Sequence, residues 1–587
     1  MSNSAYLGIF GPGPNSSAAI VSDNEIIAWA EEERFNRIKT SPNAYPAQAI
    51  AYCVKEARKL GLEVTAIGYA WDCESYAQLA TENLEQTIAK YPSETDHISR
   101  LAQQGLNALY NPTKVKQDLG LILRKLGIEL TDQNFKFYSH HLSHVASAIY
   151  TSGFDEAVVV VNDGVGEVAS SSLVYVDKQG TMKELATEEL PNTLGGFYAT
   201  ITEFLGFKAY VDEGKTMGLA AYGAPDAEIM AVFDEMVQTD GKSFHYTVDP
   251  RFRYSGKRTY GSRFTDLMVD KLGPARAADV TAMTAPYPAI AYAAQKKLEE
   301  VLFAQMKYAA SLNLSKNICF AGGVHMNCKA NGLLAESDLY ENYFFQPAAS
   351  DNGVCLGAAF LAKIDATGEI PKLPSLEHLY YGPSFTDDEI EKVLKQCKLE
   401  YVKSDNIGRD VAQHIAKNDI VGWFQGRMEV GARALGGRSI LANPLNPDAR
   451  DHVNRHVKNR EAWRPFCPSL KKESFQGYFD TVIDKSPFMI VATRIHKEFL
   501  DVLPSCIHVD GTVRPQTVNK DINPLYWSVM NDFEKITGQS IIVNTSFNVQ
   551  GEPIVMRPEE AIRCFYGSGM DVLAIGSFIV KKNNFES

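Results

Sequence analysis

Long apolar runs are missing from this chain: nowhere in its 587 residues does it approach 18 continuous apolar residues, which argues against an ordinary membrane-spanning helix. The start, Met1-Ser2-Asn3-Ser4, has neither the charged nor the apolar region of a secretory signal, so a cytoplasmic protein with no membrane partner is expected. Its nine cysteines, scattered from Cys53 to Cys564, form no Cys-x-x-Cys. That spacing suggests neither a disulfide framework nor a thiolate zinc site, and reduced structural thiols are expected. A basic surplus is absent too, since 71 acids against 58 bases leave a net charge of −13. General nucleic-acid binding is thereby disfavoured, while a local basic pocket stays open. What is present, 45% hydrophobic and 22% charged residues, describes a soluble globular protein, and the length implies two domains or three.

The run His140-His141-Leu142-Ser143-His144 precedes an apolar strand that ends in Asn162-Asp163-Gly164. If the run opens a helix, His140 and His144 project from one face, where two neutral imidazoles can reach one metal. A catalytic metal usually takes a carboxylate as well, and Asp163 is the nearest candidate. Two buried or capping histidines fit the same letters.

The N-terminus reads as strand, Gly/Pro turn and strand (Tyr6 to Phe10, then Ala18 to Val21), and a similar unit returns at Ala157 to Val161 and Ser170 to Val176. Two such hairpins suggest a duplicated α/β domain whose halves each offer a loop to a shared cleft, coincidence being the alternative. Residues 46 to 130 read as largely helical. Lys215, in a small-residue loop, could hold a phosphate or carboxylate or be solvated. Cys319 to Ala321 runs into Gly322-Gly323 and then a helix, a place where backbone can approach a phosphate or simply pack closely. Asp351 could cap the small-residue helix from Val354 or supply another oxygen ligand. The Pro/Gly-punctuated stretch 366 to 385 fits a linker, which places a boundary near 380.

Beyond it lies a concentrated basic segment. Arg427, Arg433, Arg438, Arg450, Arg455, Lys458, Arg460 and Arg464 stand against Glu429, Asp448, Asp451 and Glu461, so eight bases and four acids leave +4 locally. Interleaved with glycines, these arginines read as a pocket for small anions, a salt-bridged surface being the alternative. Ile541 to Val543 then leads into Asn544-Thr545-Ser546-Phe547-Asn548, which suits nucleotide or phosphate recognition or a polar turn.

Taken in order, these motifs resemble the O-carbamoyltransferases of antibiotic and nodulation-factor biosynthesis. The carriers include Glu31-Glu32-Glu33-Arg34-Phe35, the histidine run, Lys215-Thr216-Met217-Gly218, Gly322-Gly323-Val324, Ser350-Asp351, Arg433-Ala434-Leu435-Gly436, Arg464-Pro465-Phe466 and Asn544 to Asn548. The resemblance implies an α/β protein: residues 1–380 in the duplicated actin-like ATPase fold of tRNA threonylcarbamoyl transferases, and 381–587 in a YrdC-like fold. It also implies two steps, formation of carbamoyl adenylate from ATP and carbamoyl phosphate, then carbamoyl transfer to a hydroxyl of a small natural product.

Carried over by position, His140, His144, Asp163 and Asp351 are expected to ligate a divalent metal, Fe(II) first, with Mn(II) or Mg(II) as alternatives and Mg(II) accompanying ATP. Gly322, Gly323 and Asn327 are expected on adenosine; Arg433, Lys458, Arg464 and Arg514 on carbamoyl phosphate; Asn544, Ser546 and Asn548 on the nucleotide. A homodimer is compatible with all of this. One departure stands out: the family's first hairpin carries His-Asp where this chain has Pro14-Asn15, and a later expected histidine is Thr40. The obvious group for taking the acceptor proton is gone, so Asn15, Lys39 and Lys215 are the catalytic candidates. A nitrogen acceptor, or an adenylate-forming regulatory protein with weakened transfer, are the alternatives this opens.

Overall fold

The computed structural model describes residues 3–582 except 24, 94–95, 254–261, 279–282 and 462; Met1 and Ser2 of the leader reading lie outside them. Its contacts divide the chain into two units, one of Met1–Glu32 with Thr40–Leu376, the other of Glu33–Lys39 with Glu377–Ser587.

In the first unit, β1 (Ser4–Phe10), β2 (Ser17–Val21) and β3 (Ile26–Glu31) form an antiparallel meander. β4 (Glu63–Tyr69) and β5 (Phe135–Phe137) then add in parallel beside β1, giving the order β3-β2-β1-β4-β5. The second half repeats the plan. β6 (Ala157–Asn162), β7 (Ala169–Val176) and β8 (Met182–Glu189) form the meander. After a small hairpin of β9 (Val237–Thr239) and β10 (Tyr246–Val248), β11 (Asn317–Ala321) and β12 (Asn342–Phe345) add in parallel beside β6. Two sheets with one strand order are the duplicated actin-like ATPase fold, and the two hairpins that open them are the pair visible in the sequence.

A helix closes each half, His140–Ser152 after β5 and Val354–Thr367 after β12. Each lies on the other half's sheet, the first against β6 and β11, the second against β1 and β4. The helices also pack on one another, closely enough that a Cβ at Gly357 would stand 1.8 Å from the Ser143 carbonyl oxygen. Only glycine permits that approach. It brings the start of the first helix near the turn that precedes the second.

The stretch 46 to 130 is largely helical, as Ala47–Lys59, Cys73–Lys90, Asp96–Leu109 and Pro112–Arg124, with one strand, Glu63–Tyr69, whose exposed first half hides its apolar pattern. One sequence expectation needs correction. Lys215 sits in the helix Glu213–Ala220, not a loop; Gly214 and Gly218 mask the helix in the sequence.

The second unit is built on a mixed sheet of eight strands. They are β13 (Val402–Lys403), β14 (Val421–Phe424), β15 (Arg438–Ala442), β16 (Cys467–Lys471), β20 (Gln516–Val518), β21 (Ile541–Ser546), β22 (Val572–Ile575) and β23 (Phe578–Lys581). β17 (Phe479–Asp480), β18 (Thr493–Ile495) and β19 (Thr512–Val513) make a separate small sheet, and the main order is β13-β23-β22-β14-β15-β21-β16-β20. Period-two alternation sends neighbouring residues to opposite faces. Phe424 and Ile440 join a core with Phe547 and Phe565 on one side, whereas Trp423 and Leu441 join Tyr526 and Phe533 on the other. Trp423 and Phe424 are 0% and 1% exposed, and each such burial contributes about 1.5–3 kcal/mol.

The short segment Glu33–Lys39 belongs to this unit. Arg34 Nη2 donates to the Gly431 carbonyl at 2.6 Å, and Arg37 donates to the carbonyls of Pro553 and Ile554, each at 2.7 Å. Phe35 packs on Met428, Ile554 and Met556. Among the described residues no helix is long and apolar enough to cross a membrane.

Candidate functional site

Ser139 caps the helix His140–Ser152 by accepting from Leu142 N, and Gly153 ends it in the left-handed region, at φ 77°. His140 and His144 therefore share a face, with ring centroids 4.8 Å apart. Burial of that face leaves both side chains 0% exposed. His140 Nδ1 lies 3.1 Å from the Ala70 carbonyl oxygen, a contact that puts the proton on Nδ1 and leaves Nε2 to ligate. That Nε2 is 3.3 Å from Asp163 Oδ2 and 3.7 Å from Asp351 Oδ1, while His144 Nε2 is 3.8 Å from Asp163 Oδ2. Asp163 follows β6, and its Oδ1 accepts Gly323 N at 2.9 Å. Asp351 does not cap the helix that follows; Gly353 holds the N-cap position.

One ligand atom from each of the four residues lies within 4.8 Å of the others, a set that could hold a metal. Both nitrogens of His144 are buried without a hydrogen-bond partner among the described residues. An orphaned buried nitrogen costs about 1–3 kcal/mol, and a cation between two imidazoles and two carboxylates would remove that cost. The proton occupies the same electrostatic niche. Burial disfavours the His140 imidazolium, yet the Asp163 and Asp351 carboxylates prevail and carry it up to about 10. Burial likewise opposes ionised Asp163, but His140 and His144 hold that carboxyl well below the usual range. The donor set fits a divalent ion.

Glu167 was not visible as part of this centre. Its Oε1 accepts the backbone N–H groups of His140 at 3.0 Å and Asp72 at 2.7 Å, fixing the start of the ligand helix. The sequence marks its loop by Asn162-Asp163-Gly164 but carries no signal of where the side chain turns. His141 faces away from the ligands: Nδ1 meets Ser172 Oγ at 2.6 Å, and burial, then the charge of His140, push the ring down to about 3.

Gly322 has φ 92°, and a Cβ there would lie 2.1 Å from the Asn162 carbonyl oxygen. Gly323 begins a 3-10 turn, and the helix Cys328–Ala335 starts only later, so the glycines do not lie at a long helix N-terminus. Asn327 caps that helix through Ala330 N at 3.0 Å and donates to Gln295 Oε1 at 2.8 Å. Asn15 Nδ2 donates to Ser350 Oγ at 3.2 Å, reaching the turn that carries Asp351. Its carboxamide cannot take a proton as an imidazole does. Lys215 Nζ is 3.3 Å from Asp212 and 5.3 Å from the Phe207 ring centre. Lys39 groups with the second unit, where its charge acts on Lys458.

The second unit holds the anion candidates. A π-helical turn, Val453–Val457, delivers Lys458 into the interior at 3% exposure. Its Nζ donates to the Asn548 Oδ1 at 2.8 Å, the Asn548 carbonyl at 2.9 Å, the Ser546 Oγ at 3.2 Å and the Ser546 carbonyl. Burial, followed by Arg460, Arg464 and Lys39, holds the Lys458 ammonium well below its ordinary range. The Asn544 amide donates to Ser469, Gln516 and the Ala434 carbonyl, while its Oδ1 is buried and unpartnered among the described residues. Arg464 lies 3.8 Å from Glu461. Arg514 directs Nε and Nη2 at the Cys467 sulfur, 3.0 and 2.8 Å away.

Other arginines of the basic segment do different work. Arg438 is 0% exposed, stacks 3.7 Å over Phe424 and donates to backbone carbonyls, and Arg427 donates to those of Tyr381 and Gly382. Arg450 and Arg455 lie beside Asp451 at 3.6 and 3.7 Å. Reading all eight bases as one pocket is therefore corrected: composition cannot distinguish a guanidinium that braces loops from one that faces a ligand.

Two family profiles match the chain: one described as Carbamoyltransferase N-terminus over residues 7–360, and one as Carbamoyltransferase C-terminus over 412–582. The chain is 33% identical to the nodulation protein NolNO of Sinorhizobium fredii, over 97% of this chain and 79% of that one. It is 35% identical to NolO of Bradyrhizobium diazoefficiens, over 76% and 79%. An uncharacterized protein of Synechocystis, sll1178, is 34% identical over 98% of this chain and 96% of its own.

Proposed function

The chain belongs to the carbamoyltransferase family, and from that premise we propose that it joins carbamoyl phosphate to ATP as carbamoyl adenylate and then carbamoylates a hydroxyl of a small natural product. The observation that carries this reading is the quartet His140, His144, Asp163 and Asp351, whose buried imidazoles and carboxylates converge on one point. Adenylation is assigned to a YrdC-like domain, residues 381–587, and transfer to residues 1–380.

In the first step Lys458, Arg464 and Arg514 hold the carbamoyl phosphate, and Arg433 joins them. Asn544, Ser546 and Asn548 orient ATP, supplied with Mg(II). The carbamate oxygen bonds to the α-phosphorus, pyrophosphate leaves from ATP, and inorganic phosphate leaves the carbamoyl donor with water as co-reactant. Carbamate is a poor electrophile until its oxygen belongs to such a leaving group. In the second step Gly322, Gly323 and Asn327 seat the adenosine. The acceptor oxygen bonds to the carbamoyl carbon, the bond from that carbon to the phosphate oxygen breaks, and AMP departs. A divalent ion, Fe(II) before Mn(II) or Mg(II), would be held by the quartet and would stabilise negative charge on the adenylate. Asn15 braces the Asp351 turn, and Lys215 stands as the candidate for the acceptor proton.

Pyrophosphate release with ATP, carbamoyl phosphate and metal tests the scheme. Lys458→Ala should abolish it, whereas His144→Ala should spare it and block only transfer. Equal effects of both changes on pyrophosphate would sink the division of labour, and no release from the unaltered enzyme would sink adenylation. Pro14-Asn15, where the family carries His-Asp, favours a second reading in which the acceptor is a more nucleophilic amine. A mass-shift comparison of amine and alcohol acceptors separates the two.

A further inference from the structure

The register of the second unit's sheet puts an unusual pair beside the anion candidates. β16 and β20 run parallel with Ser469 opposite Gln516; Cys467 opens β16, and Arg514, two residues before β20, reaches its sulfur. A polar cluster sits here: Ser469 Oγ donates to Gln516 Oε1 at 2.6 Å, and Asn544, whose Cα pairs with that of Cys467 in β21, joins both. Cys467 is 8% exposed, and its sulfur receives both Nε and Nη2 of Arg514. Arg460 completes the surroundings, lying 4.5 Å over Phe466 with Nε on Asn454 Oδ1 at 2.6 Å. Burial, then Arg464 and Arg514, hold that guanidinium well below its ordinary range, with Cys467 and Glu461 acting the other way.

An arginine meant to hold a phosphate must be oriented without being neutralised. A carboxylate would fix it in bidentate fashion, but would cancel the charge the ligand needs. Sulfur is a weak acceptor that can set direction and leave most of the charge available. We propose that Cys467 is a positioning residue for the anion site, holding the Nε–Nη2 edge of Arg514 so that its charge is presented to a phosphate-bearing substrate. The assignment rests on the anion-site reading above.

Calorimetric titration of the full chain with inorganic pyrophosphate and with carbamoyl phosphate tests it. Cys467→Ala weakens binding about tenfold, the loss of one hydrogen-bond pair to a charged group. Cys467→Ser recovers most of the affinity. Cys467→Asp binds more weakly than Cys467→Ala, because it pairs with Arg514 outright. In an Arg514→Ala background, Cys467→Ala has no further effect. Unchanged affinity in Cys467→Ala, an undiminished loss in the Arg514→Ala background, or no recovery in Cys467→Ser would each overturn the positioning role. Circular dichroism and thermal melting certify that each variant is folded; if Cys467→Ala is not, the Ser and Asp variants decide the question by their order of affinity. A wild-type chain that binds neither anion would overturn the anion-site reading itself, an outcome distinct from tight wild-type binding that Cys467→Ala leaves intact.

Discussion

Glu167 Oε1 accepts the backbone N–H of His140 at 3.0 Å, so the loop behind Asp163 also fixes the first residue of the helix that carries two ligands. Glu167→Ala should lower metal affinity about 10–100-fold, as loss of a ligand-orienting partner does. Equilibrium dialysis against Mn(II) reads the change. An affinity equal to wild type would mean that Ser139 and packing hold the helix unaided.

Gly322 combines φ 92° with a Cβ position 2.1 Å from the Asn162 carbonyl oxygen. Gly322→Ala should destabilise the protein by about 3 kcal/mol through strain and collision, lowering the urea midpoint. Gly214, where a Cβ meets nothing within 4 Å, is the control. Gly214→Ala should fall within about 1 kcal/mol of wild type, on the stabilising side, because alanine favours the helix.

Arg438 donates to the carbonyls of Gln425 at 2.8 Å, Gly437 at 2.9 Å and Gly426 at 3.2 Å. Arg438→Ala leaves those acceptors buried and should cost about 3–5 kcal/mol in denaturant unfolding. Arg455, an exposed neighbour of Asp451, should cost less than about 0.5 kcal/mol on the same change. Equal costs would show that Arg438 does not brace the loops.

Burial raises the Glu213 carboxyl from 4.5 to about 7, against backbone N–H groups that lower it. The native state thus binds more protons than the unfolded chain between those values. Stability from this group is complete below pH 4.5 and is lost as the pH rises through 7. Glu213→Gln should remove the decline, gaining about 3 kcal/mol relative to wild type across that window. Urea midpoints at pH 5 and pH 8 measure it, and parallel curves would refute the burial argument.

Local periodicity was the legible part of the centre. His140 and His144 announce themselves because four residues make one helical turn. Asp351 is separated from them by most of a domain; its letters fitted a helix cap or another oxygen ligand, and the family resemblance chose the ligand. Glu167 and Gln295 were illegible because a loop or helix side chain's direction depends on tertiary packing. The duplicated fold was visible in its two hairpins, yet β4 was hidden by its exposed first half. Arg438 shows the opposite failure: a charged residue in a glycine-rich segment reads as a ligand group, although here it stacks on Phe424 and satisfies carbonyls.

The seven residues Glu33–Lys39 give the chain a constraint of inheritance. Arg34, Phe35 and Arg37 serve the second unit, yet Thr40–Leu376 of the first unit separates them from the rest of it in the chain. A fragment beginning at Glu377 would lack the donors to the Gly431, Pro553 and Ile554 carbonyls and the ring that covers Met428. Recombination between homologues that exchanges only the downstream portion would part these partners. Compatible exchange must keep the pairing between the two separated segments, which are bound to change together.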